Sequence, residues 1–157
     1  MDAISYYNET DTDKPFLLRL FTRNRNHEFV QAGLTAQQID HLLTQQFEAQ
    51  HQQFRSQFGH AEFKIVTLNS QAVGRIYTNR DGGELRVIDI SLLPEFCGRG
   101  LGTRILKQVI YEAQASGLPV RLHVLCNNPA LRLYQRLGFV VRENKGVHLL
   151  MEKGINQ

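Results

Sequence analysis

A glycine-rich segment, CGRGLGT, has the clearest chemical signature in the sequence, and it connects an apolar stretch to an amphipathic one. Gly98, Gly100 and Gly102 stand at alternate positions, so the backbone can turn sharply and keep its N–H groups accessible. The stretch that follows has the apolar spacing of a helix, and the first N–H groups of a helix attract anions together with its dipole. The segment therefore predicts a phosphate or pyrophosphate site, to which Arg99 and Arg104 can add positive charge.

Two other phosphate-binding patterns do not fit this segment. A dinucleotide fingerprint needs GxGxxG, but the third glycine position holds Thr103 or Ile105, depending on the first glycine chosen. A P-loop needs GxxxxGK followed by Ser or Thr, and no such pair follows. The remaining alternative is a plain turn between strand and helix, although one glycine usually suffices for that purpose.

A second candidate segment, NNPALRLYQRLGF, begins about thirty residues later. Asn128 before Pro129 is typical of a helix start, and Gly138 is typical of a helix end. Tyr134 lies on the apolar stripe of this predicted helix. Taken alone, the segment is better explained by a structural cap at Asn128 and a core position at Tyr134 than by a functional site.

Both segments resemble motifs of the GNAT N-acetyltransferases. LLPEFCGRGLG resembles motif A, Q/R-x-x-G-x-G/A: Gly100 and Gly102 match its glycines, while Cys97 stands where Gln or Arg is usual. NNPALRLYQRLGF resembles motif B, whose asparagine corresponds to Asn127 or Asn128. The other matching positions are Ala130, Leu133, Tyr134, Gly138 and Phe139.

The resemblance implies an enzyme that transfers the acetyl group of acetyl-CoA to a primary amine of a small molecule, protein or peptide. It implies direct attack in a ternary complex, without an acyl-enzyme at Cys126. The glycine turn would hold the pyrophosphate, and the strand ending at Leu92 would diverge from strand 122–125 to bind pantetheine. The cofactor-binding candidates are Leu92, Leu93, Cys97, Gly98, Arg99, Gly100, Leu101, Gly102, Thr103, Asn127 and Asn128.

Two residues are candidates for catalysis. The resemblance implies that Tyr134 protonates the leaving thiolate. Asp89 is an acidic residue in an otherwise apolar strand, which suggests a general base, although a structural carboxylate is an equal alternative. Glu84 and a water chain are further alternatives for the base. His123 and His148 fall in predicted strands and are interpreted as structural.

The periodicity of the chain predicts the order β-α-α-β-β-β-α-β-α-β-β. Thr35 and Gln38 predict a capping box at the start of the second helix. Asn69-Ser70 predicts a hairpin turn, the strand after it is predicted over 72–78, and residues 80–83 predict the next turn. We expect an α/β (α+β) GNAT fold in which a mixed, mostly antiparallel central sheet of six to seven strands carries helices on both faces. The parallel pair would be the strands on either side of the helix that follows the glycine turn. We expect residues 1–157 to form a single domain.

Composition narrows the class of protein. The 157 residues carry a net charge of +3 and two cysteines. Neither cysteine stands in a metal-binding pattern, no apolar run reaches the roughly 18 residues of a membrane span, and the N-terminus does not resemble a signal peptide. We therefore expect a cytoplasmic protein without a metal and without a membrane segment.

Several questions about function stay open at the sequence level. A non-catalytic acyl-CoA-binding or regulatory module with the same fold is the main alternative, which the unusual Cys97 favours. Acetylation of an aminoacyl-tRNA rests only on the basic pI, and the sequence shows no stacking platform for nucleic acid. The amine acceptor and a homodimer are undetermined. Candidate acceptor-lining residues are Arg23, Arg25, His27, Glu28 and Tyr77.

Overall fold

A computed structural model describes residues 2–155 of the chain. Its strands are β1 Ile4–Asn8, β2 Glu62–Leu68, β3 Gln71–Asp81, β4 Glu84–Leu92, β5 Val120–Leu125, β6 Val140–Asn144 and β7 His148–Lys153. Its α-helices are α1 Lys14–Gln31, α2 Ala36–Gln57, α3 Leu101–Ala115 and α4 Leu131–Arg136. Short 3-10 turns at Asp11–Asp13 and Pro94–Phe96 precede α1 and follow β4. The predicted order of elements is confirmed.

The seven strands form one open sheet in the order β1-β2-β3-β4-β5-β7-β6. β1 pairs antiparallel with β2, and β7 pairs antiparallel with both β5 and β6. Two-residue turns connect β2 to β3 and β3 to β4, and so short a connection joins antiparallel neighbours. β4 and β5 run parallel on either side of α3 in the sequence, as expected. The mixed, mostly antiparallel sheet is thus confirmed.

The hairpin turns show where local sequence decides the structure. Asn69 and Ser70 both have positive φ, 50° and 70°, which is the backbone of a tight hairpin turn. Gly82 and Gly83 likewise have positive φ, at 62° and 76°. The predicted boundary was wrong here, because β3 continues to Asp81 and the glycine pair alone makes the turn.

The chain forms two compact units. The N-terminal unit comprises the residues up to Arg75 together with Ser91–Cys97. Its core packs α1 and α2 on β2, with Phe21 edge-on to Phe47 at 5.7 Å between ring centroids. The buried cluster contains Leu17, Phe21, Ile39, Leu43, Phe47 and Ile65. The predicted capping box begins α2: Gln38 N donates to the Thr35 hydroxyl, and Thr35 N donates to the Gln38 side chain.

The C-terminal unit comprises Ile76–Ile90 and the chain from Gly98 onward. α3 buries the predicted apolar stripe, of which Ile105, Leu106 and Ala113 are fully buried. In β5 the side chains alternate, with Val120, Leu122 and Val124 buried and the intervening residues half-buried. No helix within residues 2–155 combines the length and hydropathy that a membrane span requires.

Candidate active site

The glycine turn before α3 leaves backbone donors ahead of the helix's own hydrogen bonds. Gly98 and Gly100 have φ of 74° and 81°, in the left-handed region that strains other residues. Gly100 is the N-cap residue, and Arg104 N donates to its carbonyl oxygen at 3.1 Å. The N–H groups of Leu101, Gly102 and Thr103 therefore precede the first intrahelical bond. This is the arrangement that binds an anion at a helix N-terminus.

The three glycines are not equivalent. A Cβ built on Gly98 or Gly100 meets no heavy atom within 4 Å, so the backbone angle and not crowding requires glycine there. Gly102 has no positive φ, and a Cβ on it would lie 3.7 Å from a methyl group of Leu133, an ordinary contact. Only two of the three predicted glycines are thus required by the geometry of the turn.

Leu92, Leu93 and Cys97 belong to the N-terminal unit. Leu92 is half-buried at the end of β4, and Leu93 is 3% exposed. The thiol of Cys97 donates to the carbonyl oxygens of Leu92 and Leu93, with Sγ–O distances of 3.7 and 3.6 Å. Burial and, to a smaller extent, the charge of Glu95 raise the pKa of Cys97. The side chain is therefore a neutral hydrogen-bond donor, not a reactive thiolate.

Sequence reasoning missed the role of Gly74 in shaping the end of β4. A Cβ built on Gly74 would lie 2.2 Å from the carbonyl oxygen of Ser91 and 2.8 Å from a methyl group of Leu92. The backbones of β3 and β4 thus approach each other too closely for any other residue. A glycine inside a strand is the signal that could have revealed this approach.

Two side chains of α1 fix the same segment. Asn24 Nδ2 donates to the carbonyl oxygen of Leu92 at 3.1 Å. Arg23 makes a two-bond contact with Glu95, with Nη1 at 2.9 and 2.8 Å from the carboxylate oxygens. Arg23 was expected only to line an acceptor site, but it also holds the segment that leads to Cys97.

β4 and β5 pair in parallel over a short stretch. In the described register, Leu85–Val87 pairs with Val120–Leu122. β5 then continues to Leu125 in pairing with β7, while β4 continues without a described pairing to β5. The separation of the two strands beyond this stretch, which the resemblance implies for pantetheine binding, stays a prediction.

The two catalytic candidates, Tyr134 and Asp89, interact electrostatically. Tyr134 on α4 is 7% exposed and packs edge-on against Phe139, with ring centroids 5.8 Å apart. Burial and the charge of Asp89 raise the pKa of Tyr134 to about 12. Asp89 is half-buried on β4. The phenol therefore stays protonated across the physiological range and can donate a hydrogen bond.

The two asparagines differ in what they bind. Asn128 Oδ1 accepts a hydrogen bond from Ala130 N at 2.8 Å, so it caps the entry to α4. Asn127 is exposed, and none of the hydrogen bonds given for residues 2–155 involves its side chain. The alternative base Glu84 lies 3.4 Å from Nη1 of Arg121, which occupies it in an ion pair.

The sequence of the chain matches a known protein family. The sequence profile of the Acetyltransferase (GNAT) family matches residues 17–139, most of the chain. This protein is a member of the GNAT acetyltransferase family. The match includes both the glycine turn and α4 and confirms the resemblance, and the protein is accordingly an acetyltransferase.

Solved structures confirm the fold of this acetyltransferase. The PaiA N-acetyltransferase from Thermoplasma acidophilum in complex with coenzyme A has a TM-score of 0.72 at 19% identity, covering 97% of this chain and 99% of that one. An acetyltransferase from Thermus thermophilus has a TM-score of 0.67 at 20% identity, with coverages of 96% and 95%. The ribosomal-protein-S18-alanine N-acetyltransferase from Escherichia coli has a TM-score of 0.62 at 18% identity, with coverages of 100% and 96%. A search of curated proteins found no significant match.

The acetyltransferase has a cleft between the second half of α1 and the first half of α2. Its volume is about 500 Å³. The lining residues are Thr22, Arg23, Asn26, Val30, Leu34, Ala36, Ile39, Asp40 and Leu43. The lining contains two charged residues, Arg23 and Asp40. Arg23 is paired with Glu95, whereas no ion pair described for residues 2–155 involves Asp40.

The other expected acceptor-lining residues lie in varied environments. Tyr77 is completely buried, so it is a core side chain and was wrongly placed in an accessible lining. Arg25 stacks over Phe21 with its guanidinium carbon 3.9 Å from the ring centroid. His27 and Glu28 are exposed on α1. Among residues 2–155, no three His, Cys, Asp or Glu side chains are grouped closely enough to hold a metal ion.

Proposed function

We propose that this chain is an N-acetyltransferase that transfers acetyl from acetyl-CoA to a primary amine by direct attack in a ternary complex. The observation that carries the proposal is the turn at Gly98 and Gly100, which presents the N–H groups of Leu101–Thr103 ahead of α3. Such a cradle suits a pyrophosphate. Two of the similar structures hold coenzyme A or acetyl coenzyme A, which supports the same cofactor here.

The binding residues divide into backbone and side-chain contributors. Gly98, Gly100, Leu101, Gly102 and Thr103 offer backbone donors, and Arg99 adds charge. Leu92 at the end of β4 and Leu93 directly after it would lie beside the pantetheine arm, as the resemblance implies. Cys97 stands in place of the usual Gln or Arg, and its thiol donates to the carbonyl oxygens of Leu92 and Leu93. We assign the motif B asparagine to Asn127, because the side-chain oxygen of Asn128 is already bonded to Ala130 N.

The chemistry at the acetyl group falls to Tyr134 and Asp89. Acetyl-CoA, when bound, supplies an acetyl group on a thioester. Tyr134 holds a proton at Oη, since its pKa is about 12, and delivers a hydrogen bond to the departing sulfur. The neutral amine attacks the acetyl carbon, the carbon–sulfur bond breaks, and Asp89 accepts the one proton that the nitrogen loses. Cys126 takes no covalent part, because direct attack needs no acyl-enzyme.

We propose the cleft between α1 and α2 as the acceptor site. The cleft combines an apolar floor of Leu34, Ile39 and Leu43 with the carboxylate of Asp40. Since Arg23 is neutralised by Glu95, the cleft favours a cationic ligand with an aliphatic portion. An amine acceptor with a second positive charge fits this lining better than a neutral or acidic one.

We also propose that the enzyme is a single domain and acts in the cytoplasm. Residues 1–157 act as a single domain, which is supported by the similar structures that match 95–99% of their own length. Cys97 and Cys126 are both free thiols, which suits a reducing cytoplasm.

The direct test is a thiol-release assay with acetyl-CoA and a panel of amines at pH 8. We expect saturable turnover with diamines and weaker turnover with amino acids. If the protein binds acetyl-CoA but turns over none of the amines, the alternative of a non-catalytic acyl-CoA-binding module is favoured. The unusual Cys97 is the residue that suggests this alternative. Salt dependence separates the tRNA alternative, because RNA binding through phosphates weakens steeply with salt.

A further inference from the structure

One face of the C-terminal unit carries a row of charged side chains. β5 buries Val120, Leu122 and Val124 on one face, so Arg121 and His123 share the other. Arg86 pairs with Arg121 in the parallel register and projects on this same face. Arg86, Arg121 and His123 are all half-buried and therefore reachable from solvent.

The part of the row around Arg121 is balanced by carboxylates. Arg121 Nε lies 2.7 Å from Glu152, and Arg121 Nη1 lies 3.4 Å from Glu84. Glu152 also accepts from Arg142 at 2.8 Å. These ion pairs lower the pKa of Glu152, with the hydrogen bond from Arg121 as the largest cause. This half of the row is a closed structural network.

The part of the row around His123 is arranged differently. Arg86 Nη2 lies 2.5 Å from Nδ1 of His123, and Lys145 Nζ lies 3.4 Å from Nε2 of the same ring. A neutral imidazole has one acceptor nitrogen and one N–H. It can therefore accept from only one of these cations, and the other cation meets an N–H group.

The charges around His123 oppose its protonation. Burial is the largest cause of its lowered pKa, followed by the charges of Arg86, Lys145 and His148, which outweigh the opposing charge of Glu84. Arg86 and Lys145 thus place two positive charges against one imidazole ring. An anion in contact with all three groups would accept hydrogen bonds from each and be stabilised by the two charges.

We propose that Arg86, His123 and Lys145 form an oxyanion site that takes a carboxylate or phosphate group. Arg86 and Lys145 come from β4 and from the turn between β6 and β7, so a ligand here bridges two parts of the C-terminal unit. The site uses none of the residues assigned to acetyl-CoA or to catalysis. It stands independently of the proposed acetyl transfer.

The first test measures binding of inorganic phosphate through the imidazole signals of His123 in the full chain. Added phosphate, at constant ionic strength with chloride, should shift these signals saturably and raise the pKa of His123, because an anion stabilises the imidazolium. Lys145→Met should weaken phosphate binding about tenfold. Lys107→Met is the matched control, since Lys107 is an exposed lysine on α3, and it should bind phosphate as the wild type does. Lys145 is exposed, so its loss should leave the fold intact.

The second test identifies the source of the anionic group. Acceptors are compared in pairs, an amino acid against its amide, in wild type and Lys145→Met. A selective rise in KM for the acid would support an acceptor that carries a carboxylate. Unchanged KM values for both acceptors in Lys145→Met, together with weakened phosphate binding in that variant, would support a separate anionic ligand. Signals of His123 that respond to phosphate no more than to chloride, or identically in Lys145→Met, would overturn the site, whether or not the enzyme turns over.

Discussion

The glycine turn and the cleft between α1 and α2 show two kinds of functional region. The turn, as the proposed cofactor site, would bind through backbone groups, so it requires left-handed residues at Gly98 and Gly100, and such a requirement is visible in the sequence. The cleft, as the proposed acceptor site, would bind through side chains from two helices, and ordinary residues such as Asp40 and Ile39 line it. Backbone-mediated recognition therefore constrains the sequence far more tightly than side-chain recognition does.

The largest expected effect is the loss of acetyl-CoA affinity when Gly100, the left-handed residue at the start of α3, is replaced. Gly100→Val should lower acetyl-CoA affinity at least ~100-fold, because the backbone strain of about 1–2 kcal/mol adds to a side chain within the cradle. Gly33→Val is the matched control, since Gly33 also has positive φ, 80°, and open space, but ends α1. Equal losses of affinity in the two variants, by calorimetry, would reject a local role for Gly100.

A second large effect should separate binding from chemistry. Tyr134→Phe should lower kcat roughly 100-fold, the usual scale for loss of a proton donor, and leave the Kd for acetyl-CoA unchanged. Tyr111→Phe, at a 69% exposed position on α3, is the control. The raised pKa of Tyr134 also predicts that wild-type activity does not fall through its ionisation below about pH 11. Full turnover by the Phe variant would exclude Tyr134 as the donor.

A substitution at Gly74, opposite the end of β4, tests whether a close backbone approach also restricts which residue the position accepts. Gly74→Ala should destabilise the protein by about 2 kcal/mol or more, because its Cβ would overlap the carbonyl oxygen of Ser91. For a chain of this size the expected fall in Tm is roughly 5 °C or more. Gly102→Ala should change Tm little, since its Cβ makes an ordinary contact. A Tm unchanged in Gly74→Ala would contradict the described approach of β3 and β4.

Substitutions in the cleft between α1 and α2 should have a smaller effect on activity than those at Gly100 or Tyr134. Asp40→Asn should raise the KM for a diamine about fivefold and leave acetyl-CoA affinity unaltered, because only one carboxylate is lost from an open cleft. Glu28→Gln, an exposed change on α1 outside the lining, should leave KM unaltered. If both variants raise KM equally, general charge and not Asp40 controls acceptor binding.

The smallest expected effect is the change in acetyl-CoA affinity when Cys97 is replaced. Cys97→Gln restores the usual motif A side chain and should tighten acetyl-CoA binding by roughly tenfold at most, the value of one good hydrogen bond. Cys126→Gln is the control at the other exposed cysteine. Weaker binding in Cys97→Gln would mean that the thiol contacts with Leu92 and Leu93 shape the cofactor site.

The sequence predicted the features that local chemistry determines. The capping box of Thr35 and Gln38, the turn at Asn69-Ser70 and the start of α3 each depend on neighbouring residues. Tyr77 was misplaced because its strand lies in the sheet centre, where four further consecutive residues are also buried and alternation gives no guide. The approach of Gly74 to Ser91 depends on strand register, and the cleft depends on how two helices pack. Neither relation is present in a local pattern.

The cofactor role of the glycine turn is tested by calorimetric titration of acetyl-CoA into wild type, Gly33→Val and Gly100→Val. We expect saturable one-site binding to the first two proteins and at least ~100-fold weaker binding to the third, with all three folded by circular dichroism. Unimpaired binding to Gly100→Val, or no binding to the wild type, would contradict the assignment of the glycine turn as the cofactor site.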